Sequence, residues 1–380
     1  MKEFGVAVIG YGFIGKVHTY SYLNIPLLYD PAPARLRLVG VCTSRRETCE
    51  AAGRQAGFEQ CTTDYRELLA RPDVHLVSIC TPNYLHREVL LDALAAGKHI
   101  YCDKPLAMNG DEADQVVRAA QGTGLTCQVT FNYRFIPAVM RARQLVAEGF
   151  LGRVNTFRFR YLHSGYTDPD RPLSWRMDLA KSGGGALMDL GSHAIDLLHY
   201  LLGPVARVNG LTRIFTPTRP VGAGSDERVP VHTDELAMAQ VELLSGAVGT
   251  LEASRVATGT NDDLAFEIHG DRGALRFTLE APDYLEAYDA GLPDSPLGGR
   301  RGWTRIETLQ RYPAPAMLPP GRATTGWMRF HVASMHAFVS NAAAGLPGDP
   351  SFADGLAAHR VMDAIYASAR TGTWTPVEGG

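Results

Sequence analysis

Apolar residues fall along the chain in two rhythms, and the change between them near residue 131 divides it. In the first part, short continuous apolar runs alternate with stretches of helical spacing. Val6-Ala7-Val8-Ile9, Leu36 to Cys42, Val74 to Cys80, His99 to Cys102 and Leu125 to Phe131 read as buried strands. Arg45 to Gly57, a short segment begun by Asp64 and stopped before Pro72, Leu85 to Ala96 and Asp111 to Gln121 read as helices. Asp64 suits an N-cap, and Gly97 suits a helix end. Strands alternating with helices in this way predict a parallel, doubly wound α/β sheet. Asn24 to Pro33, with three prolines, interrupts the rhythm as a long connection.

After Phe131 the period changes. A helix over Pro137 to Glu148 precedes Val154 to Tyr161, where apolar and polar residues alternate as in a half-buried strand. An apolar helix follows the three glycines Gly183-Gly184-Gly185, with Ala186, Leu187, Leu190, Ile195, Leu197, Leu198 and Leu201 as its buried side. Val205 to Ile214, Leu236 to Leu244, Ala247 to Ser254, Leu264 to His269 and Gly273 to Thr278 continue as strands. Ser245-Gly246 and Asp271-Arg272-Gly273 stand where hairpin turns are needed. Pro282 to Gly326, rich in Gly and Pro, reads as an irregular excursion, and helices over Trp327 to Ala344 and Phe352 to Thr371 close the chain. The expectation is two domains. Residues 1–130 form an α/β nucleotide-binding fold, and 131–380 an α+β domain with a large, mostly antiparallel open sheet.

Composition narrows the function. A length of 380 residues fits two cores better than one. A net charge of −3 without a basic cluster argues against a nucleic-acid partner. The N-terminus runs directly into the first strand without a signal-peptide pattern, and no apolar run is long enough to span a membrane. All six cysteines (Cys42, Cys49, Cys61, Cys80, Cys102 and Cys127) lie in the first third, none in C-x-x-C spacing. That pattern suits buried free thiols in a reducing cytoplasm, with no metal site.

Two motifs carry chemistry. Gly10-Tyr11-Gly12-Phe13-Ile14-Gly15 sits between a strand and a helix. Its first glycine permits a tight turn, the second lets a pyrophosphate reach the backbone, and the third allows close helix–strand packing. Gly10, Gly12, Phe13, Ile14 and Gly15 are therefore candidate contacts to a dinucleotide. Asp189 and His193 stand four apart, on one face of the glycine-led helix. A carboxylate beside an imidazole orients the ring and stabilises its charged form, which makes a general base near neutral pH. A buried pair of this kind can also do no more than satisfy hydrogen bonds.

With Thr81-Pro82-Asn83-Tyr84-Leu85-His86, Asp103-Lys104-Pro105, Asn132-Tyr133-Arg134-Phe135, Trp175-Arg176 and the Gly183–Asp196 stretch added, the chain closely resembles the Gfo/Idh/MocA family over nearly its whole length. That resemblance implies a Rossmann domain for NAD(P) and catalytic roles for Lys104, Asp189 and His193. It also implies that Thr81, Asn83 and His86 line the nicotinamide, that Asp103 stands where the family has glutamate, and that Arg176 packs near the cofactor. Independently, Pro105 holds Lys104 extended at a strand end, where an ammonium can bind a reacting oxygen. At the end of the second strand, Thr43-Ser44-Arg45-Arg46 replaces the acid that NAD-binding members place on the ribose hydroxyls. Hydroxyls and guanidinium groups there favour a 2′-phosphate, hence NADP, unless the arginines are only an exposed helix start. Tyr133, Arg134, Tyr161, His163 and Tyr166 are candidate contacts to a polyol.

The expected function is NAD(P)-dependent hydride transfer between the nicotinamide and a secondary alcohol or ketone of a sugar, cyclitol or sugar derivative. The expected assembly is a homodimer or homotetramer through the open sheet. Two alternatives are a non-catalytic dinucleotide-binding sensor and an NAD-retaining glycosidase.

Overall fold

The computed structural model describes residues 1–312, 315, 317, 323–324 and 326–379. The chain forms two compact units. One comprises Met1–Asn132 with Gly326–Ala357, and the other comprises Tyr133–Tyr312 with the chain from Ala358 on.

The first unit is a parallel sheet of β1 (Glu3–Ile9), β2 (Arg35–Cys42), β3 (Gln60–Thr62), β4 (Leu76–Ile79), β5 (His99–Cys102) and β6 (Cys127–Val129), in the order β3-β2-β1-β4-β5-β6. Strand order reverses beside β1, and a crevice at such a switch point is where doubly wound folds take nucleotides. Helices α1 (Phe13–Leu28), α2 (Arg46–Ala56), α3 (Tyr65–Leu69), α4 (His86–Ala95) and α5 (Gly110–Ala120) connect the strands. The Asp64 carboxylate accepts from the Arg66 N–H at 3.0 Å, capping α3 as its sequence position suggests. Asn24 to Leu28 is helical, contrary to the long connection expected there: α1 runs through Pro26. The proline sits in the final turn, so it disturbs only the end of the helix. The thiols of Cys42, Cys49, Cys102 and Cys127 are buried, and all six cysteines are unbridged.

In the second unit, α6 (Pro137–Ala147), β7 (Val154–Leu162), α7 (Leu179–Ser182) and α8 (Ser192–Leu202) precede a run of strands. These are β8 (Val205–Arg213), β9 (Thr218–Pro220), β10 (Arg228–Pro230), β11 (Leu236–Leu243), β12 (Val248–Ser254), β13 (Asp263–Gly270), β14 (Gly273–Thr278), β15 (Tyr284–Asp289) and β16 (Trp303–Glu307). After α9 (Trp327–Ala344) and α10 (Phe352–Thr371), β17 (Thr375–Pro376) joins the far edge. The described residues form a nine-stranded sheet, β16-β15-β14-β13-β7-β12-β11-β8-β17, in which only β7 and β12 run parallel. β15 and β16 correct the irregular excursion expected over Pro282 to Gly326, whose masked positions (313–314, 316, 318–322 and 325) lie outside the described residues. Glycines and prolines between these two strands hide a short edge hairpin. The apolar stripe expected on the glycine-led helix is buried throughout, from Ala186 to Leu201.

α9 returns to the first unit, where Val332, Met335, Phe338, Val339 and Ala342 fill one core with Val6, Val8, Tyr22, Ile25 and Tyr101. Tyr101 Oη donates to Ser334 Oγ at 2.8 Å, tying β5 to this helix. Truncating the fully buried Phe338 to alanine costs about 3–5 kcal/mol by the usual cavity scale. Among the described residues no helix is long and apolar enough to cross a membrane.

Candidate active site

In the first unit the glycine loop is built for close approach. Gly10 has φ +89°, and a Cβ there would lie 2.5 Å from the Cys80 carbonyl oxygen. A Cβ on Gly15 would lie 2.2 Å from the Gly10 carbonyl oxygen. Gly12 is different: a Cβ there meets no protein atom within 4 Å, and Gly12 caps α1 without a side-chain bond. Open space in front of an uncapped helix N-terminus is what a pyrophosphate requires. Phe13 stacks on Trp327 of α9 at 5.7 Å, and Ile14 is half-buried behind it.

Nearby, the buried Thr81 hydroxyl has no hydrogen-bond partner among the described residues, an orphan a bound cofactor can satisfy. Asn83 is buried and opens a 3₁₀ turn into α4. His86 is fully buried, with Nδ1 2.9 Å from the Pro105 carbonyl and Nε2 2.9 Å from the Thr81 carbonyl. Both ring nitrogens are thus engaged, so His86 staples the loop after β4 to the loop after β5. Burial lowers its pKa, against the opposing pull of Asp103 and those carbonyls.

Asp103 and Lys104 follow β5 in a partly exposed bend. His331 of α9 is held at a pKa of about 3, chiefly by burial and secondly by Lys104. Thr43 is buried, its Oγ1 2.8 Å from the Arg45 carbonyl and 2.7 Å from Thr48 Oγ1. Ser44 and Arg45 stand exposed at the end of β2, while Arg46 turns to Glu50 at 3.0 Å.

In the second unit the three glycines serve the protein itself. Gly183, at φ +76°, ends α7. A Cβ on Gly185 would lie 1.8 Å from the Asp234 carbonyl oxygen. The Asp234 carboxylate accepts from the N–H groups of Gly185 (2.8 Å) and Leu187 (2.9 Å), and from Tyr366 Oη (2.6 Å). Leu187–Gly191 then makes a π-helical turn leading into α8, a local widening common at functional sites.

Asp189 lies in that turn, and its Oδ2 accepts from Arg255 Nη2 at 2.5 Å. The Arg255 Nη1 donates to Tyr166 Oη at 2.8 Å. Burial works against the charge on Arg255, but Asp189 and Tyr166 outweigh it and the guanidinium is held firmly protonated. The ring of Tyr166, expected to face a polyol, is packed among the guanidiniums of Arg255, Arg171 and Arg219 at 4.6, 5.1 and 5.4 Å.

His193 is buried with its ring edge-on to Tyr133 (4.7 Å) and Tyr161 (5.8 Å). His163 Nε2 sits 3.1 Å from Asp262 Oδ1. The Arg134 guanidinium is committed to Asp196, with Nη2 2.5 Å from Oδ1 in a buried ion pair. Arg176 stacks over Trp175 at 4.4 Å. The second unit therefore brings Tyr133, His163 and His193 into one cluster, links Asp189 to Tyr166 through Arg255, and turns Arg134 away into a structural pair.

Sequence patterns alone do not reveal Arg255, Asp262, Trp327 or His331, since they lie far along the chain from Asp189, Tyr161, Phe13 and Lys104 respectively. The pairing of β12 with β11 and β7 is what carries Arg255, just past the end of β12, toward the π turn.

Residues 4–131 match the family model for an oxidoreductase NAD-binding Rossmann fold, and 139–276 match the GFO/IDH/MocA C-terminal domain. The chain is 36% identical to levoglucosan dehydrogenase of Pseudarthrobacter phenanthrenivorans, over 99% of each. It is 27% identical to inositol 2-dehydrogenase of Rhizobium meliloti over 95% of each. A solved levoglucosan dehydrogenase in complex with NADH and L-sorbose superposes with a TM-score of 0.92 at 36% identity, over 99% of each chain.

Proposed function

We propose that this chain, which belongs to the Gfo/Idh/MocA oxidoreductase family, oxidises a secondary alcohol of levoglucosan or a related pyranoside. The observation that carries this choice is the full-length likeness to levoglucosan dehydrogenase. Its catalytic apparatus argues for an enzyme over a sensor, because a sensor needs no Lys104, Asp189 and His193. Turnover of levoglucosan, D-glucose, alkyl glucosides and myo-inositol, followed by reduced-nicotinamide absorbance, tests it. No reaction with any of these sugars refutes the proposal.

The dinucleotide, when bound, supplies the hydride acceptor; Gly10, Gly12, Gly15, Thr81 and Asn83 are the residues to hold it. Lys104 binds the reacting oxygen and steadies the negative charge that develops on it. His193 takes the hydroxyl proton. Asp189, held by Arg255, lies four residues before His193 in the turn that leads into α8. Replacing Arg255 with glutamine is expected to lower kcat about 10–100-fold without weakening the dinucleotide titration, with partial recovery in Arg255→Lys. A kcat equal to wild type in Arg255→Gln would separate Asp189 from the chemistry.

Cofactor choice is proposed to favour NADP, because Ser44 and Arg45 stand exposed at the end of β2. Titration of both oxidised cofactors by tryptophan fluorescence checks this. Ser44→Asp is expected to shift the preference toward NAD by at least about tenfold, through repulsion of the 2′-phosphate. Tighter NAD binding by the unaltered protein overturns it. The outer face of the nine-stranded sheet, carrying Arg158, Arg160, Glu252 and Glu267, is proposed as the contact of a homodimer or homotetramer, which light scattering tests.

A further inference from the structure

We propose that Asp262 sets substrate specificity: its Oδ2 oxygen, beside the His163 ring, binds a sugar hydroxyl other than the one being oxidised. This deepens the reading given above and rests on it, with the pyranoside seated against His193.

The placement follows from strand register. Asp263 pairs with Leu162 and Leu264 with Tyr161, so Asp262 and His163 stand opposite each other just past the paired ends of β13 and β7. Tyr161 and His163 are two residues apart at a strand end and share a face. His193 packs on that same face. The Tyr161 ring lies 5.1 Å from the His163 ring and 5.8 Å from the His193 ring. A pyranose is about as wide as a tyrosine ring, so a sugar whose reacting hydroxyl meets His193 carries other hydroxyls toward this pair.

The loop from β12 to β13 serves the site at both ends. Arg255, at its start, donates to Asp189, and Asp262, at its end, accepts from Tyr161 and His163. Between them the Ala257 N–H donates to the His163 carbonyl at 2.9 Å, and Ser164 Oγ donates to the Thr260 carbonyl at 2.6 Å. A carboxylate on a loop pinned in this way is in place before a ligand arrives, which lowers the cost of binding one.

The hydrogen bonds leave defined positions open. Tyr161 Oη donates to Asp262 Oδ1 at 2.7 Å, and His163 Nε2 lies 3.1 Å from the same oxygen. A carboxylate only accepts, so Nε2 carries the hydrogen. Burial drives the Tyr161 pKa far up, which keeps its hydroxyl a donor. Both donors thus fall on Oδ1. Asp262 Oδ2 and His163 Nδ1 make no hydrogen bond among the described residues, and the two side chains are 37% and 33% exposed. Satisfying the buried Tyr161 hydroxyl needs one acceptor and no exposure. Two acceptors open to solvent on the face of the base suit an O–H donor. The ligand class is a pyranoside with a free hydroxyl at that place, in preference to its deoxygenated or O-alkylated relatives.

Turnover of the sugar panel by the wild-type enzyme is the prior control, so failure of the earlier reading shows itself before any comparison is made. Monodeoxyfluoro analogues of the reactive sugar keep its size and remove one O–H donor at a time. At least one position away from the reacting carbon is expected to lose about 10–100-fold in kcat/KM, the usual effect of losing a hydrogen bond to a charged group. Asp262→Asn keeps an amide oxygen for Tyr161 and His163 and puts an NH2 group in place of Oδ2. It is expected to weaken the parent sugar by the same factor, in KM rather than kcat. The sensitive analogue is expected to be barely affected by it, the non-additivity that marks a direct contact. Asp262→Ser, a second variant that keeps one acceptor for Tyr161, is expected to show the same pattern. An unchanged KM in both variants, or a loss shared equally by the parent sugar and every analogue, overturns the proposal and leaves Asp262 a structural partner of Tyr161.

Discussion

Replacing His193 with alanine is expected to lower the rate of sugar oxidation about 10²–10⁴-fold, the usual range for losing a general base. The imidazole is buried against the rings of Tyr133 and Tyr161, so no water-borne base reaches its position easily. The side chain belongs to the second unit and the glycine loop to the first, and the dinucleotide titration is expected to stay within about twofold of wild type. Steady-state kinetics at saturating sugar, run beside that titration, separates the two effects. Turnover close to wild type would move the base elsewhere. Asp189→Asn, which leaves the Arg255 guanidinium facing a neutral amide, is expected to show a smaller loss of the same kind.

Lys104→Met is expected to cut kcat about 10²–10³-fold, comparable to removing a donor from a preorganised site for negative charge. Methionine matches the length of lysine and removes the ammonium, so packing is preserved while the cation is lost. Because charge on the alcohol oxygen grows toward the transition state, kcat suffers as well as KM. Lys104→Arg is expected to rescue little, since the forked guanidinium differs in shape and hydration from a compact ammonium. His331 supplies a second measurement. With the positive charge of Lys104 removed, the pKa of its buried imidazole rises from about 3, which histidine NMR detects without any substrate. Unchanged kcat in Lys104→Met would place the reacting oxygen away from this strand end.

Which features were readable from the sequence follows from the range of the forces involved. β5 was legible to the residue because His99 to Cys102 is a closed apolar run after Gly97, and the glycine loop because strand, turn and helix are contiguous. The end of α1 is hidden by Pro26, which argues against a helix interior, yet here falls in the last turn. The partners of Asp189 and Tyr161 were not legible at all. Arg255 is 66 residues from Asp189, and Asp262 is 101 from Tyr161, so only strand pairing makes them neighbours. Periodicity reports which face of an element is buried, and says nothing about which distant charge will meet it.

The return of α9 to the first unit has a consequence for synthesis on the ribosome. The strands of that unit are complete by Val129, but the helix that closes one face of their sheet starts at Trp327. At ~5–20 residues per second, the ribosome needs roughly 10–40 s to cover that interval. Throughout it, Val6, Tyr22, Ile25 and Tyr101 lack the covering side chains of Val332, Met335 and Phe338. The nascent domain thus carries uncovered apolar surface until α9 is made. A fragment ending near residue 130 is expected to aggregate when expressed alone, whereas adding residues 326–357 as a separate peptide is expected to restore its solubility.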